Sequence, residues 1–172
     1  MSIAVQLVIH SARVIDSAGD RENYWVSVDA EKIIAAGHGS GWREFDASHV
    51  VDAGGKILTP GFVDIHTHGA VGTSFDDPEG NAQAALDFHM KSGSTSVVTS
   101  LVSSPVEKLA ERLSFLAQLH HPAFVGSHLE GPFLDPEHRG AHALDALTAP
   151  TNDSVVALLK AAAGTLRQIT VA

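Results

Sequence analysis

Thr59-Pro60-Gly61-Phe62-Val63-Asp64-Ile65-His66-Thr67-His68-Gly69 is the stretch on which the reading of this 172-residue chain turns. A Pro-Gly pair opens it, an apolar run follows and a glycine closes it, which is the punctuation of a strand running through a sheet. Side chains two apart in a strand point to the same face. Phe62, Asp64, His66 and His68 therefore share one face, and Val63, Ile65 and Thr67 the other. The Val63/Ile65 side suits covering helices. The other side presents two imidazoles at the strand's carboxyl end, and neutral imidazoles at that spacing can grip a borderline-soft cation such as zinc. A bare His-x-His is more often a loop or surface feature; the Pro-Gly start, the apolar strand and the Gly69 exit favour the ligand reading.

Outward from this strand the rhythm is strand then helix. Asp77-Pro78-Glu79 predicts an N-cap with proline at the first helical position and a helix to about Lys91, with Ala82, Ala85, Leu86, His89 and Met90 on one face. Ser96 to Leu101 is the next strand. Ser104-Pro105-Val106-Glu107 has the form of a capping box, and Val106, Leu109, Ala110, Leu113 and Ala117 follow at the helical period. Ala123 to Leu129 is a third strand. A helix from about Ser154 to Ala163, a stop at Gly164 and a strand from near Gln168 complete the pattern. Such an order implies a parallel sheet with right-handed crossovers. A closed (β/α)8 barrel needs eight strands and about 250 residues, so the expectation is about half a barrel, with a complete small α/β domain as the alternative.

The third strand runs into Phe124-Val125-Gly126-Ser127-His128-Leu129-Glu130-Gly131-Pro132-Phe133. Alternation puts Phe124, Gly126, His128 and Glu130 on one face. Glu130 ends the strand, in the same layer as His66 and His68, and is a plausible third metal ligand; the expectation is that the three converge at the rim of adjoining strands. His128, one layer deeper, reads equally as a hydrogen-bond partner behind the ligands or as a satisfied core histidine. The loop Asp135-Pro136-Glu137-His138-Arg139-Gly140-Ala141-His142 follows on the same rim, where Arg139 and His142 could meet an anionic or hydroxylated substrate.

Residues 1–58 read as a small β layer, an incomplete β-sandwich portion, with strands at Val5 to Ile9, Arg13 to Ile15, Tyr24 to Val28 and Lys32 to Ala36. His10-Ser11-Ala12 separates the first two. Residues 59–172 are the barrel portion. The charge balance, 11 Lys and Arg against 20 Asp and Glu for a net −9, argues against a nucleic-acid partner, because such binders neutralise phosphates with basic side chains. The chain contains no cysteine, which removes disulfides and thiolate chemistry and leaves imidazole and carboxylate, from 11 histidines among others, for any metal. Neither a signal peptide nor a membrane-length apolar run is expected, which favours the cytoplasm.

The Pro60–His68 motif after a small β layer resembles the amidohydrolase superfamily. His128-Leu129-Glu130-Gly131-Pro132-Phe133-Leu134 followed by Arg139-Gly140-Ala141-His142 narrows the likeness to the N-acetylglucosamine-6-phosphate deacetylases. That resemblance implies an α/β fold, part of a (β/α)8 metal-dependent hydrolase barrel, and hydrolysis of the N-acetyl group of N-acetyl-D-glucosamine 6-phosphate. It matches Glu130 to the carboxylate ligand, His66 and His68 to the His-x-His pair, and Ala141 and His142 to the stretch that touches the sugar phosphate. The cofactor it implies is a divalent metal, zinc first, with iron, manganese or cobalt as alternatives; the partner is a small amino-sugar phosphate, in a homodimer. The family's catalytic aspartate and later histidine ligands are expected beyond residue 172, so the chain alone is expected to be inactive. Another amidohydrolase, dihydroorotase-like or a deaminase, and a non-catalytic half-barrel module are the competing readings.

Overall fold

In the computed structural model, which describes residues 2–172, the chain begins with a 14-residue strand, β1 (Ile3–Asp16). The His10-Ser11-Ala12 step, expected to separate two strands, is a bulge within one. Ser11 takes φ 55° and the register against the next strand shifts between Ile9 and Ala12, so the ladder bends and continues. β2 (Gly19–Asp29) returns antiparallel to β1 and pairs with β3 (Lys32–His38). Ala30 and Glu31 join β2 to β3 at φ 45° and 64°; two left-handed central residues match the twist of a tight hairpin. β4 (Phe45–Asp52) and the short β5 (Ile57–Leu58) both run parallel to β1. β4 has no clean alternation and five of its eight residues in a row are exposed, which is why the sequence did not announce it. The result is one five-stranded sheet, with Val5, Val8, Ala12, Val14 and Trp25 buried.

The second compact unit is Gly61–Ala172. It begins with β6 (Phe62–Thr67), then a hairpin of two-residue strands, β7 (Gly69–Ala70) and β8 (Thr73–Ser74). α1 (Ala82–Lys91), β9 (Ser94–Val102), α2 (Val106–Leu116), β10 (Phe124–Glu130), α3 (Asn152–Ala161) and β11 (Leu166–Thr170) follow in strict alternation. The four long strands form a parallel sheet in the order β11-β10-β9-β6. β9 lies between β6 and β10, so the strands carrying the histidine pair and Glu130, expected to adjoin, are separated by one strand.

One core ties strands to helices. Val97 and Leu101 of β9 and Leu129 of β10 pack with Ala85 and Leu86 of α1, Leu109, Leu113 and Leu116 of α2, and Leu158 of α3. On α2 the buried stripe takes in Arg112 and Leu116 as well as the expected Leu109 and Leu113. β6 is different. Val63 and Ile65, expected beneath helices, are 67% and 58% exposed. β6 pairs only with β9 in this sheet, and α1 packs against β7, β8 and β9 instead.

The helix starts differ from expectation for local reasons. Asp77 does not cap α1; its Oδ1 accepts from the Glu79 amide at 2.9 Å, closing a turn that Gly80 continues, and Asn81 caps the helix by accepting from the Ala84 amide at 3.0 Å. α2 starts one residue late, with Pro105 at the N-cap and no side-chain cap bond. Glu107 then falls at the second helical position and cannot reach back as the third residue of a capping box does. The capping box of this unit is Thr151 with Ser154, at the start of α3.

Candidate metal centre

His66 lies at the end of β6 and His68 just beyond it, where the chain must turn sharply into the β7–β8 hairpin. Gly69 makes that turn at φ 135°, and a Cβ there would lie 2.0 Å from the Thr73 carbonyl oxygen. The strand end is held from behind by α1. Nε2 of His89 is 3.2 Å from Thr67 Oγ1 and 3.2 Å from the Gly69 carbonyl oxygen. Glu130 is placed in the same manner. It ends β10, Gly131 turns the chain at φ 85°, and a Cβ on Gly131 would meet Ser103 Oγ at 2.1 Å. That hydroxyl donates to the Glu130 carbonyl oxygen at 3.1 Å.

These two turns bring the three expected residues together. Nε2 of His66 and Nε2 of His68 are 3.0 Å apart, and Oε2 of Glu130 is 3.5 Å from the first and 3.1 Å from the second. Two ligands bound about 2.0–2.1 Å from a tetrahedral zinc lie about 3.3 Å apart, so the edges of this triangle fit one face of such a site. The donor set, two imidazoles and a carboxylate, suits a divalent cation. His66, His68 and Glu130 are also the one group of metal-ligating side chains found converging in this way among the described residues.

Around the triangle sit four side chains with distinct jobs. His128 is fully buried and satisfied at both ring nitrogens, Nδ1 with Ser100 Oγ at 2.9 Å and Nε2 with Thr170 Oγ1 at 2.9 Å. Its ring meets that of His66 edge-on at 5.0 Å. It is therefore a core histidine and a backstop for His66 at once, and burial first, then the neighbouring His66, pushes its basicity down. Asp76, which sequence reasoning passed over in favour of Asp77, stands behind His68. Its Oδ1 accepts from the Val102 amide at 2.9 Å and its Oδ2 from Ser74 Oγ at 3.3 Å. Burial raises the Asp76 carboxyl above the usual range against the pull of those two bonds. His142 approaches the other oxygen of Glu130, with Nε2 at 3.9 Å from Oε1, while its Nδ1 accepts from the Ser103 amide at 3.4 Å. The Arg139 guanidinium donates to the His142 carbonyl.

A cavity of about 580 Å³ opens beside Glu130, lined by Val102, Ser103, Arg139, Ala141, His142 and Thr170 among others. Ala141 and His142 thus share a cavity with the proposed ligand. His120 and His121, read from the sequence as helix-end residues, lie past the end of α2; His121 instead pairs with Asp87 at 3.2 Å. Among the described residues no helix is long and apolar enough to cross a membrane.

No family model matches the chain. Among characterised proteins and solved structures, the chain is similar to N-acetylglucosamine-6-phosphate deacetylases. The rat protein of that name is 35% identical over 138 residues, which is 71% of this chain and 31% of the rat protein. The crystal structure of the Mycobacterium smegmatis N-acetyl-D-glucosamine-6-phosphate deacetylase superposes with a TM-score of 0.85 at 30% identity, covering 97% of this chain and 47% of that one. A mutant of the same mycobacterial protein, solved in complex with N-acetyl-D-glucosamine-6-phosphate, gives a TM-score of 0.83 at 30% identity, over 98% of this chain and 44% of the other. The chain therefore spans between about a third and a half of the length of these relatives.

Proposed function

We propose that this chain carries the metal-binding rim of an N-acetylglucosamine-6-phosphate deacetylase of the amidohydrolase superfamily, built as about half of a (β/α)8 barrel. The whole protein would hydrolyse N-acetyl-D-glucosamine 6-phosphate to D-glucosamine 6-phosphate and acetate. The observation that carries this reading is the convergence of His66, His68 and Glu130 at the carboxyl ends of parallel strands, in a chain whose relatives are deacetylases.

His66, His68 and Glu130 would hold a divalent cation, zinc first. Such a cation brings the pKa of bound water to about 7 and polarises an acyl oxygen. The chain's own residues set up the rest. Each histidine offers the Nε2 lone pair only if its proton sits on Nδ1. Glu130 offers Oε2 to the cation and leaves Oε1 toward His142. Ala141 and His142 would hold the sugar phosphate in the cavity on that side, with Arg139 bracing the loop through the His142 carbonyl.

Amide hydrolysis also needs a group that accepts the nucleophile's proton and returns it to the leaving nitrogen. Glu130 is engaged as a ligand, and Asp76 lies on the far side of the His68 ring. The resemblance to the deacetylases implies an aspartate beyond residue 172 for this role, and on that reading the chain alone is inactive. On the same reading the working protein is a cytoplasmic homodimer.

Competition with a chromophoric chelator tests the metal site, using the tag-free chain. Zinc should bind, and His66→Ala, His68→Ala and Glu130→Ala should each weaken it at least tenfold. Equal binding by all three variants and the parent would overturn the site. A deacetylation assay on the 172-residue chain with added zinc should show no turnover; robust turnover would overturn the assignment of the acid/base elsewhere.

A further inference from the structure

The tautomer of His68 presents a problem that the metal reading alone does not resolve. Its Nε2 lies 3.1 Å from Oε2 of Glu130, an acceptor, and 3.0 Å from Nε2 of His66; with the proton on Nε2 it donates to that carboxylate. Nδ1 is then a bare lone pair. It is buried, has no hydrogen-bond partner among the described residues, and faces Oδ2 of Asp76 at 4.0 Å. An acceptor buried against a carboxylate is an unfavourable arrangement. Binding through Nε2 reverses it, because a neutral ring must then carry its proton on Nδ1, directed at that carboxylate.

We infer that Asp76 is a positioning residue for His68: when a cation occupies Nε2, the buried Nδ1–H donates to Asp76 Oδ2, and this bond fixes the tautomer and the aim of the ring. The inference rests on the metal reading above. Asp76 is suited to the role because it is itself anchored. The Val102 amide holds Oδ1, at the end of the strand between the two ligand strands, and Ser74 Oγ holds Oδ2. The Phe75 amide also donates to the His68 carbonyl oxygen at 2.8 Å, tying the two loops together. Closing 4.0 Å to hydrogen-bond length needs a shift of about 1 Å, which a small ring rotation supplies.

The informative variant is Asp76→Asn. Its carbonyl oxygen still accepts from Val102, but an amide now faces Nδ1. That amide donates to the bare nitrogen of the metal-free ring and opposes the Nδ1–H of the loaded one. Zinc affinity, by chelator competition, should fall 10–100-fold, while the urea midpoint in excess chelator should not fall. In the zinc-loaded parent chain, nitrogen-15 NMR should find a His68 Nδ1 proton protected from exchange, a measurement that needs no variant. Zinc binding by Asp76→Asn within twofold of the parent, or a rapidly exchanging Nδ1 proton in the parent, would overturn the inference. Unchanged zinc binding by His68→Ala would instead bring down the metal site itself, and this inference with it.

Discussion

Replacing His128 with leucine isolates what holds the rim together from below. The imidazole is completely buried, and both its nitrogens are hydrogen-bonded at 2.9 Å, to Ser100 Oγ and to Thr170 Oγ1. Leucine is close in volume, so packing loss should be small. The main cost is two hydroxyls left without partners. A buried polar group so orphaned costs about 1–3 kcal/mol. Ser100 is fully buried and belongs at the upper end, whereas Thr170 is half-buried and can recruit water. The expected loss is therefore about 2–4 kcal/mol. Equilibrium urea unfolding followed by circular dichroism, with chelator present to exclude metal effects, measures it. Adding Ser100→Ala and Thr170→Val to His128→Leu should restore most of the stability, because removing both sides of a hydrogen bond leaves no orphan. A loss under about 1 kcal/mol, or no recovery in the triple variant, would refute the view that this network supports the site.

Three further outcomes follow from the geometry. Gly131→Ala should cost about 1–3 kcal/mol, since it imposes φ 85° on alanine and drives a Cβ to 2.1 Å from Ser103 Oγ; adding Ser103→Ala should recover only the contact part, as chemical denaturation would show. Thr151→Ala removes the capping box of α3 and should lower stability by about 1 kcal/mol, read as a shift in thermal midpoint. In the first unit, the Arg13 guanidinium hydrogen-bonds Asp20 and holds its carboxyl below the usual range. Any stabilisation from that pair is present above the ordinary carboxylate pKa and is lost as pH falls through the lowered one. Carbon-13 titration of Asp20 should show a low midpoint that rises in Arg13→Ala; no change would contradict the pairing.

The convergence of His66, His68 and Glu130 was legible because it depends on two short-range rules. Alternation put His66 and His68 on one face, and a glycine after each ligand segment marked where a strand ends. The α/β order was legible from helical stripes such as Leu109 and Leu113. What escaped depended on partners distant in sequence. Asp76 is bound to Val102 and faces His68, neither within its own turn, and no spacing announces that. The exposure of Val63 and Ile65 escaped for a related reason: an apolar face shows that a strand can be covered, and not which strand a helix chooses. The extra strand β4 lacked alternation because most of it is exposed. The bulge at Ser11 broke a period-2 pattern that resumes beyond it.

The intervening position of β9 makes the triangle a gauge of how the sheet has zipped. His66 and Glu130 meet only across a strand that donates no ligand of its own. A one-residue slip of β10 along β9 would turn Glu130 to the opposite surface. A cation that needs all three donors would thus discriminate among alignments of the folding chain, favouring the one in which Phe124 to Glu130 has locked correctly against Val97 to Val102.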